Sequence, residues 1–179
     1  MKKMFVVLAG LMLVSASAFA DKLYTDDGYL YTGFGFSDAR VSGTTVQTKN
    51  SVAVDANLGM KYNKYFGIEA STAVAYGVVP SYKTNAGNNV NGLSVSLDAV
   101  GYLPISDLHS IYVKAGYTIP WDSISGFNNS GVNFGAGFDL HLHSNPKNAI
   151  RFGFDRLPAG MGASDVKLTN IYFMLVNQL

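Results

Sequence analysis

The chain has 179 residues, enough for one domain, and its 13 lysines and arginines nearly balance its 12 aspartates and glutamates. Such an even balance implies neither nucleic acid nor an anionic membrane surface as the partner. The sequence contains no cysteine, which excludes a disulfide framework and a thiolate metal site. Only 14% of the residues are charged, whereas 11 Tyr, 11 Phe and 19 Gly are present, a composition that suits a β-protein in contact with lipid.

The N-terminal segment has the pattern of a secretory signal peptide. Lys2 and Lys3 form a positive n-region, residues 4–14 are an apolar run too short to span a bilayer, and residues 18–20 form an A-x-A cleavage site. Cleavage there would remove two lysines, so that 13 basic and 12 acidic residues become 11 and 12. We expect a signal peptide over residues 1–20 and one domain over residues 21–179, with no transmembrane helix.

Beyond the signal, apolar residues recur with a period of two, which predicts strands. In the clearest case Val52 and Leu58 share one face, while Asp55 and Lys61 share the other, and a one-residue slip would exchange these faces. The pattern predicts eight strands, at about 28–37, 52–62, 66–76, 92–103, 111–119, 132–142, 149–156 and from 166 to the chain end.

The predicted connections alternate in length. Short ones cover 63–64, 104–109 and 143–148, and long polar ones cover 38–50, 77–91, 120–131 and 158–165. Transmembrane barrels show this asymmetry, with short turns on the periplasmic side and longer loops outside. Tyr62 and Phe66 share a face, so the first short turn is predicted to hold the three residues 63–65.

Alternation alone leaves open which face points outward, because soluble barrels bury their apolar face and membrane barrels expose it. The polar face is rich in Gly, Ala and Ser, as a narrow lumen requires, and no charge lies midway along a predicted apolar face. Aromatic residues near strand ends resemble interfacial girdles: Phe36, Tyr62, Phe66, Tyr76, Tyr117 and Trp121. The prediction is an all-β fold, an antiparallel up-and-down transmembrane barrel of eight strands.

These features together resemble the small eight-stranded outer-membrane β-barrel family, which includes the barrel domain of outer membrane protein A and outer membrane protein X. The likeness is carried by GYLYTG at 28–33, KYFGIE at 64–69, YVKAGY at 112–117 and GAGFD at 135–139. It implies a location in the bacterial outer membrane, and we expect a monomer. It also implies that the barrel assembly machinery reads the C-terminal strand, whose apolar alternation Asn177 interrupts and which ends in Leu179 rather than an aromatic residue.

A polar network is expected on the inward face. Its ionisable members are Asp55, Lys61, Glu69, Asp98, Lys114, Asp139, His141, Arg151 and Asp155. Hairpin geometry predicts that Lys61 reaches Glu69, Asp98 reaches Lys114 and Asp139 reaches Arg151. Two interpretations stay open: the charges neutralise one another and plug the lumen, or they form an ion-pair gate of a small pore, as has been proposed for the resembling barrels. The plug is favoured because side chains normally fill a barrel of this size.

No enzyme active site, metal site or cofactor is expected. His141, His143 and Ser144 suggest a lipid A deacylase, but those enzymes carry a histidine and a serine two residues apart, and this spacing is missing here. The three histidines have no further ligand, and no glycine pattern precedes a helix as a phosphate loop does. These polar residues beside Pro146 are typical of a turn.

Any specific function is expected in the long connections, which carry the exposed candidates Tyr82, Trp121 and Phe127. They are candidates for contact with outer-membrane lipid and lipopolysaccharide, or with an unknown extracellular ligand such as a host surface or a phage. The expected function is a structural and surface-interaction barrel. The alternatives are a narrow channel, a lipid A-modifying enzyme and a soluble periplasmic ligand carrier.

Overall fold

A computed structural model describes residues 28–42, 49–75, 92–120, 130–158 and 167–179. Each of its strands pairs antiparallel with its neighbours in the chain, and β8 also pairs with β1, which closes the sheet into a barrel. The strands are β1 (Tyr29–Ser42), β2 (Lys49–Lys61), β3 (Phe66–Ala75), β4 (Gly92–Ser106), β5 (His109–Pro120), β6 (Gly131–Leu142), β7 (Asn145–Pro158) and β8 (Lys167–Gln178). The predicted fold class, an eight-stranded antiparallel barrel, is thereby confirmed.

The predicted signal peptide lies outside the described residues, as do the central parts of the four long connections. In the described part of the chain, no helix has the length and apolar character needed to cross a bilayer. The barrel has two ends, defined by its connections. The short-turn end carries residues 62–65, 107–108 and 143–144, and the long-connection end carries the other connections.

The first short turn holds the three residues that parity predicts. The backbone N–H of Tyr62 donates to the carbonyl oxygen of Phe66 at 2.9 Å, so these two residues face each other across the hairpin. The side-chain Oδ1 of Asn63 accepts hydrogen bonds from the N–H groups of Tyr65 and Phe66, at 2.8 and 2.9 Å. An asparagine side chain that satisfies the backbone in this way stabilises a tight turn.

The strands extend farther than the apolar pattern predicts. β1 continues to Ser42, and the other two short turns contain only two residues each, 107–108 and 143–144, rather than the six expected. The predicted boundaries stopped near Pro104 and Pro146, because proline cannot donate to a β-ladder. Pairing continues past both hairpin ends through a shift of register, next to Pro104 in β4 and at Leu142 in β6.

The two faces of the sheet have opposite character. On the outer face Phe34, Leu97 and Leu175 are 58%, 63% and 61% exposed, whereas on the inner face Glu69 and Arg151 are only 1% and 2% exposed. A protein folded in water would bury the apolar groups and expose the charged ones. The inverted arrangement confirms the predicted orientation, with apolar side chains outward, and it excludes the soluble carrier.

Candidate functional site

The centre of the lumen is the carboxylate of Glu69 on β3. Its Oε2 accepts hydrogen bonds from Tyr31 Oη and Asn57 Nδ2, both at 2.9 Å, and from Arg151 Nη1. Its Oε1 accepts one from Lys114 Nζ at 3.2 Å. These donors come from β1, β2, β5 and β7, so one buried carboxylate connects five strands across the barrel.

Arg151 on β7 is held by two carboxylates and two aromatic rings. Its Nε and Nη2 donate to the two oxygens of Asp139 at 2.7 and 2.8 Å, which is the bidentate geometry that a planar guanidinium favours. Hairpin geometry allows Asp139 to lie opposite or diagonal to Arg151, and in the register of β6 and β7 it lies directly opposite. The guanidinium carbon also lies 5.2 Å from the ring centre of Tyr31 and 4.6 Å from that of Tyr112, within the range of cation–π contacts.

Lys114 on β5 is surrounded by three carboxylates. Its Nζ lies 3.2 Å from Glu69, 2.9 Å from Asp155 and 3.8 Å from Asp98. The structure thus brings Asp98 and Lys114 together, as hairpin geometry predicts. Since Glu69 is shared by both cations, Lys114 and Arg151 together serve four carboxylates.

Three of the predicted network residues are placed differently. Lys61 lies diagonal to Glu69 in the register of β2 and β3, as predicted, but its Nζ lies 4.3 Å from the ring centre of Tyr102 at the short-turn end instead. The Nδ1 of His141 lies 2.8 Å from the carbonyl oxygen of Pro146, in the hairpin and away from the network. Asp55 meets no cation in the described lumen, and its Oδ1 accepts a hydrogen bond from Asn170 Nδ2 at 3.2 Å.

A cluster of tyrosines fills the lumen toward the short-turn end, and sequence reasoning did not single it out. Tyr31 and Tyr102 join through their hydroxyl groups at 2.9 Å, and Tyr112 and Tyr172 do so at 2.5 Å. We name these four residues the tyrosine cluster. They pack with the buried apolar side chains of Val100, Ala149, Met174 and Val176.

Glycines on the inner face make room for the tyrosine cluster. A Cβ atom at Gly59 would overlap the ring of Tyr31, and one at Gly153 would overlap the hydroxyl groups of Tyr112 and Tyr172. A large aromatic residue at inward parity, next to inward glycines on neighbouring strands, is the signal that would have identified the cluster. The strand pattern already contained this signal.

Three asparagines are the other residues that sequence reasoning missed. Each donates its side-chain N–H to a carboxylate: Asn57 to Glu69 at 2.9 Å, Asn133 to Asp98 at 2.7 Å, and Asn170 to Asp55 at 3.2 Å. Because a carboxylate only accepts, these bonds fix which end of each amide faces it. The carbonyl oxygen of each amide therefore points elsewhere.

Beyond the central ion pairs, toward the long-connection end, the lumen contains a small cavity of about 20 Å³, which is room for about one water molecule. We name it the upper cavity. Its inward-facing polar lining includes Asp55, Asn57, Glu69, Ser71, Ser94, Ser96, Lys114, Asp155 and Asn170. The two halves of the lumen thus differ: aromatic rings fill the short-turn half, whereas the other half retains this small cavity between mostly smaller side chains.

The outer face carries four of the six aromatic residues predicted at the interfaces. Tyr62 and Phe66 stack at the short-turn end with ring centres 5.9 Å apart, and Tyr117 Oη bonds Ser130 Oγ at 3.0 Å near the other end. Phe36 lies nearer the middle of its strand than predicted, because β1 continues to Ser42. Tyr76 and Trp121 lie outside the described residues. The interfacial role of these side chains stays a prediction.

The group at His141, His143 and Ser144 lies in a two-residue turn and at the strand end before it. The one ring contact of His141 that is described joins it to the Pro146 carbonyl, and no base–nucleophile pair is formed there by the residues that the structure describes. In the same residues, no group of three or more His, Cys, Asp or Glu side chains is placed to hold a metal ion. The absence of an enzyme activity stays a prediction.

One family model and several solved structures match the chain. The family described as "Outer membrane protein beta-barrel domain" matches residues 6–177. Among solved structures, the attachment invasion locus protein Ail of Yersinia pestis is 15% identical with a TM-score of 0.56, over 85% of this chain and 98% of Ail. Neisserial surface protein A is 10% identical with a TM-score of 0.63, over 86% of this chain and 100% of that one.

A de novo designed transmembrane β-barrel is also similar, at 14% identity and a TM-score of 0.51, over 87% of this chain and 98% of the design. No curated protein sequence matches the chain significantly. Identities this low show a shared fold alone. The fold is nevertheless shared over nearly the whole length of each of the three structures.

Proposed function

The chain belongs to the outer membrane protein β-barrel domain family and lies in the bacterial outer membrane, and from this premise we propose that it is a plugged barrel that displays its long connections at the cell surface. The filled lumen is the observation that carries the proposal. Arg151, Glu69 and the tyrosine cluster close the interior between the two ends, through hydrogen bonds that join opposite walls. A small barrel filled in this way is a scaffold rather than a passage.

Conductance measurement tests the plug. We expect the purified protein, inserted in planar lipid bilayers, to give no reproducible current steps beyond those of a bilayer with detergent alone. A steady current of uniform step size would contradict the plug.

Surface display is tested separately, by binding of an antibody against residues 121–129 to intact cells, with an antibody against residues 143–148 as the matched control.

A narrow channel is the second candidate function, and one feature of the network favours it. The Glu69 carboxylate contacts both Lys114 and Arg151. If it released one of these two cations and kept the other, the side chains would move and the width of the passage would change. In that case the wild-type protein would conduct, and Arg151→Met or Lys114→Met would change the size or frequency of the current steps. A wild-type current that both variants leave unchanged would point to a pore elsewhere and contradict this candidate.

We further propose that the outer face contacts lipopolysaccharide near the long-connection end. Arg40 on β1 and Arg156 on β7 both pair with Thr169 on β8, so the two cations lie on the same row of three adjacent strands. Both lie on the outward face by alternation, beside the exposed Asp38. Arginine binds phosphate in a bidentate manner, and phosphates are the anionic groups of this lipid.

The lipid proposal is tested by the lipopolysaccharide that remains bound after purification in mild detergent. We expect the double variant Arg40→Gln and Arg156→Gln to retain less of it than the wild type. The double variant Lys64→Gln and Lys147→Gln, which removes two exposed charges at the short-turn end, is the matched control. Equal retention by both double variants would contradict the proposal.

A further inference from the structure

The phenylalanines of the outer face are confined to one half of the barrel. Those that are between 42% and 58% exposed all lie on β6, β7, β8 and β1: Phe134, Phe138, Phe152, Phe154, Phe173, Phe34 and Phe36. The other half, β2 to β5, contains one phenylalanine, Phe66, at the first residue of β3 beside a short turn. Lipid tails are as apolar as leucine, so general contact with hydrocarbon does not explain why the aromatic residues are restricted to four strands.

Four of these rings form a row across the four strands. Phe36 of β1 pairs with Phe173 of β8, which pairs with Phe152 of β7. Phe152 in turn pairs with Phe138 of β6. The rings of Phe152 and Phe173 meet edge to face, with their centres 5.0 Å apart. We name these four residues the phenylalanine row, and because aromatic rings are large and rigid, they form a preorganised apolar surface.

The phenylalanine row lies beneath two cations on the same strands. Arg40 is four residues beyond Phe36 on β1, toward the long-connection end. Arg156 is four residues beyond Phe152 on β7, in the same direction. Four residues span about 13 Å along a strand, and with the usual tilt of about 40° this puts the row about 10 Å deeper in the membrane than the cations.

The charge at this site is positive. Asp38 on β1 lies between the phenylalanine row and the cations, so two positive charges and one negative charge leave a net charge of +1. A second copy of the chain packed on the same face would oppose two surfaces of like net charge, which is unfavourable. A lipid that carries anionic phosphates above its acyl chains matches the vertical order of cations and rings.

We infer that the outer face of β6, β7, β8 and β1 binds one lipopolysaccharide molecule, with its phosphates on Arg40 and Arg156 and its acyl chains against the phenylalanine row. The inference rests on the lipid contact proposed above, and it adds an apolar contact, a position on the barrel and a stoichiometry of one. The long connections are expected outside the cell, so the lipid beside them belongs to the outer leaflet. Guanidinium groups bind phosphate oxygens, and the rings below provide apolar contact for the chains.

The test is native mass spectrometry of the protein in detergent, freed of lipopolysaccharide and then titrated with lipopolysaccharide that lacks O-antigen. We expect saturation at one bound molecule. The double variant Phe152→Leu and Phe173→Leu should bind at least about threefold more weakly, because two ring contacts are lost. The control double variant Leu97→Ala and Val113→Ala removes exposed apolar side chains from β4 and β5 and should bind as the wild type does. The shift in gel mobility between unheated and boiled samples shows that each variant has folded.

The double variant Arg40→Gln and Arg156→Gln separates this inference from the lipid contact on which it rests. Weaker binding by the arginine variant alone, with wild-type binding by the phenylalanine variant, overturns the acyl-chain site and leaves the phosphate contact in place. Wild-type binding by both variants overturns both proposals. Equal weakening by the control variant overturns the position on the barrel, and equally tight binding of phosphatidylglycerol overturns the assignment to lipopolysaccharide. A wild-type dimer that the phenylalanine variant converts to a monomer assigns this face to a second copy and overturns the inference as well.

Discussion

Arg151 is the residue whose removal should cost the barrel most. It compensates two buried carboxylates, Asp139 and Glu69, and no other cation contacts Asp139 in the described lumen. We expect Arg151→Met to lower the free energy of unfolding by about 3–5 kcal/mol, because one buried charge then lacks a partner. The measurement is urea unfolding in phospholipid vesicles, followed by tyrosine and tryptophan fluorescence.

Removing the two carboxylate charges that Arg151 compensates separates the electrostatic effect of the substitution from its effect on packing. The triple variant Arg151→Met, Glu69→Gln and Asp139→Asn should recover most of the lost stability, since replacing a complete buried ion network is often nearly neutral. Lys114 then keeps two carboxylates, those of Asp98 and Asp155. A triple variant as unstable as Arg151→Met alone would show that the packing of the guanidinium against the tyrosine rings dominates.

Two glycines form a matched pair for testing the tightness of the lumen. A Cβ atom at the inward Gly137 would overlap the carbonyl oxygen of Phe152 and the hydroxyl of Tyr112, whereas one at Gly101 on the outer face would touch only Val113, at 3.6 Å. We expect Gly137→Ala to destabilise the barrel by about 1–3 kcal/mol. Gly101→Ala should change stability by less than about 0.5 kcal/mol. Equal effects in the same urea titration would mean that the lumen is loosely packed.

Among the elements, the hairpin of β2 and β3 offers the sharpest test, because the side chain of Asn63 alone organises its turn. Asn63→Ala removes the acceptor for two backbone N–H groups, and we expect a loss of about 0.5–1.5 kcal/mol in the free energy of unfolding. Lys64→Ala, at the next position of the same turn, should have an effect within about 0.5 kcal/mol. The prediction is wrong if the two variants unfold at the same urea concentration.

The strands and their faces could be predicted because a period of two is a local property of the sequence. Strand ends were predicted less well, since pairing with a neighbour carries a strand past residues that disfavour it. Pro104 pairs with Ser110, and β7 begins at Asn145, ahead of Pro146, which lies in the unpaired stretch of the register shift. Asp38 and Arg40 lie in the part of β1 that continues past its predicted end. Asn177, which interrupts the apolar alternation, donates from its Nδ2 to Asn148 Oδ1 at 2.5 Å on the neighbouring strand, so its polarity is satisfied.

The network could be predicted only where its members lie on one hairpin. Asp139 and Arg151 are 12 residues apart and meet across β6 and β7, so register alone pairs them. The contact of Glu69 with Arg151 joins residues 82 apart on strands that are not neighbours, and it exists only because the barrel closes. Closure also explains why Lys61 does not pair with Glu69, whose carboxylate is occupied by Lys114 and Arg151 from strands across the lumen.

For the whole molecule, the inverted polarity of the barrel fixes how it must sit in the membrane. The described apolar outer face forms a band between the two ends, and each end carries polar residues. The long-connection end carries Arg40 and Arg156 on that face, and short turns of outer-membrane barrels face the periplasm. The long connections are therefore expected outside the cell and the three short turns in the periplasm.

Because the sequence contains no cysteine, single introduced thiols can test this orientation directly. Ser125→Cys lies in the connection 121–129, and Ser144→Cys lies in the exposed two-residue turn at the opposite end. We expect a membrane-impermeant maleimide to label the Ser125→Cys protein on intact cells, and the Ser144→Cys protein only after the outer membrane is permeabilised. The opposite pattern would invert the barrel and place the upper cavity toward the periplasm.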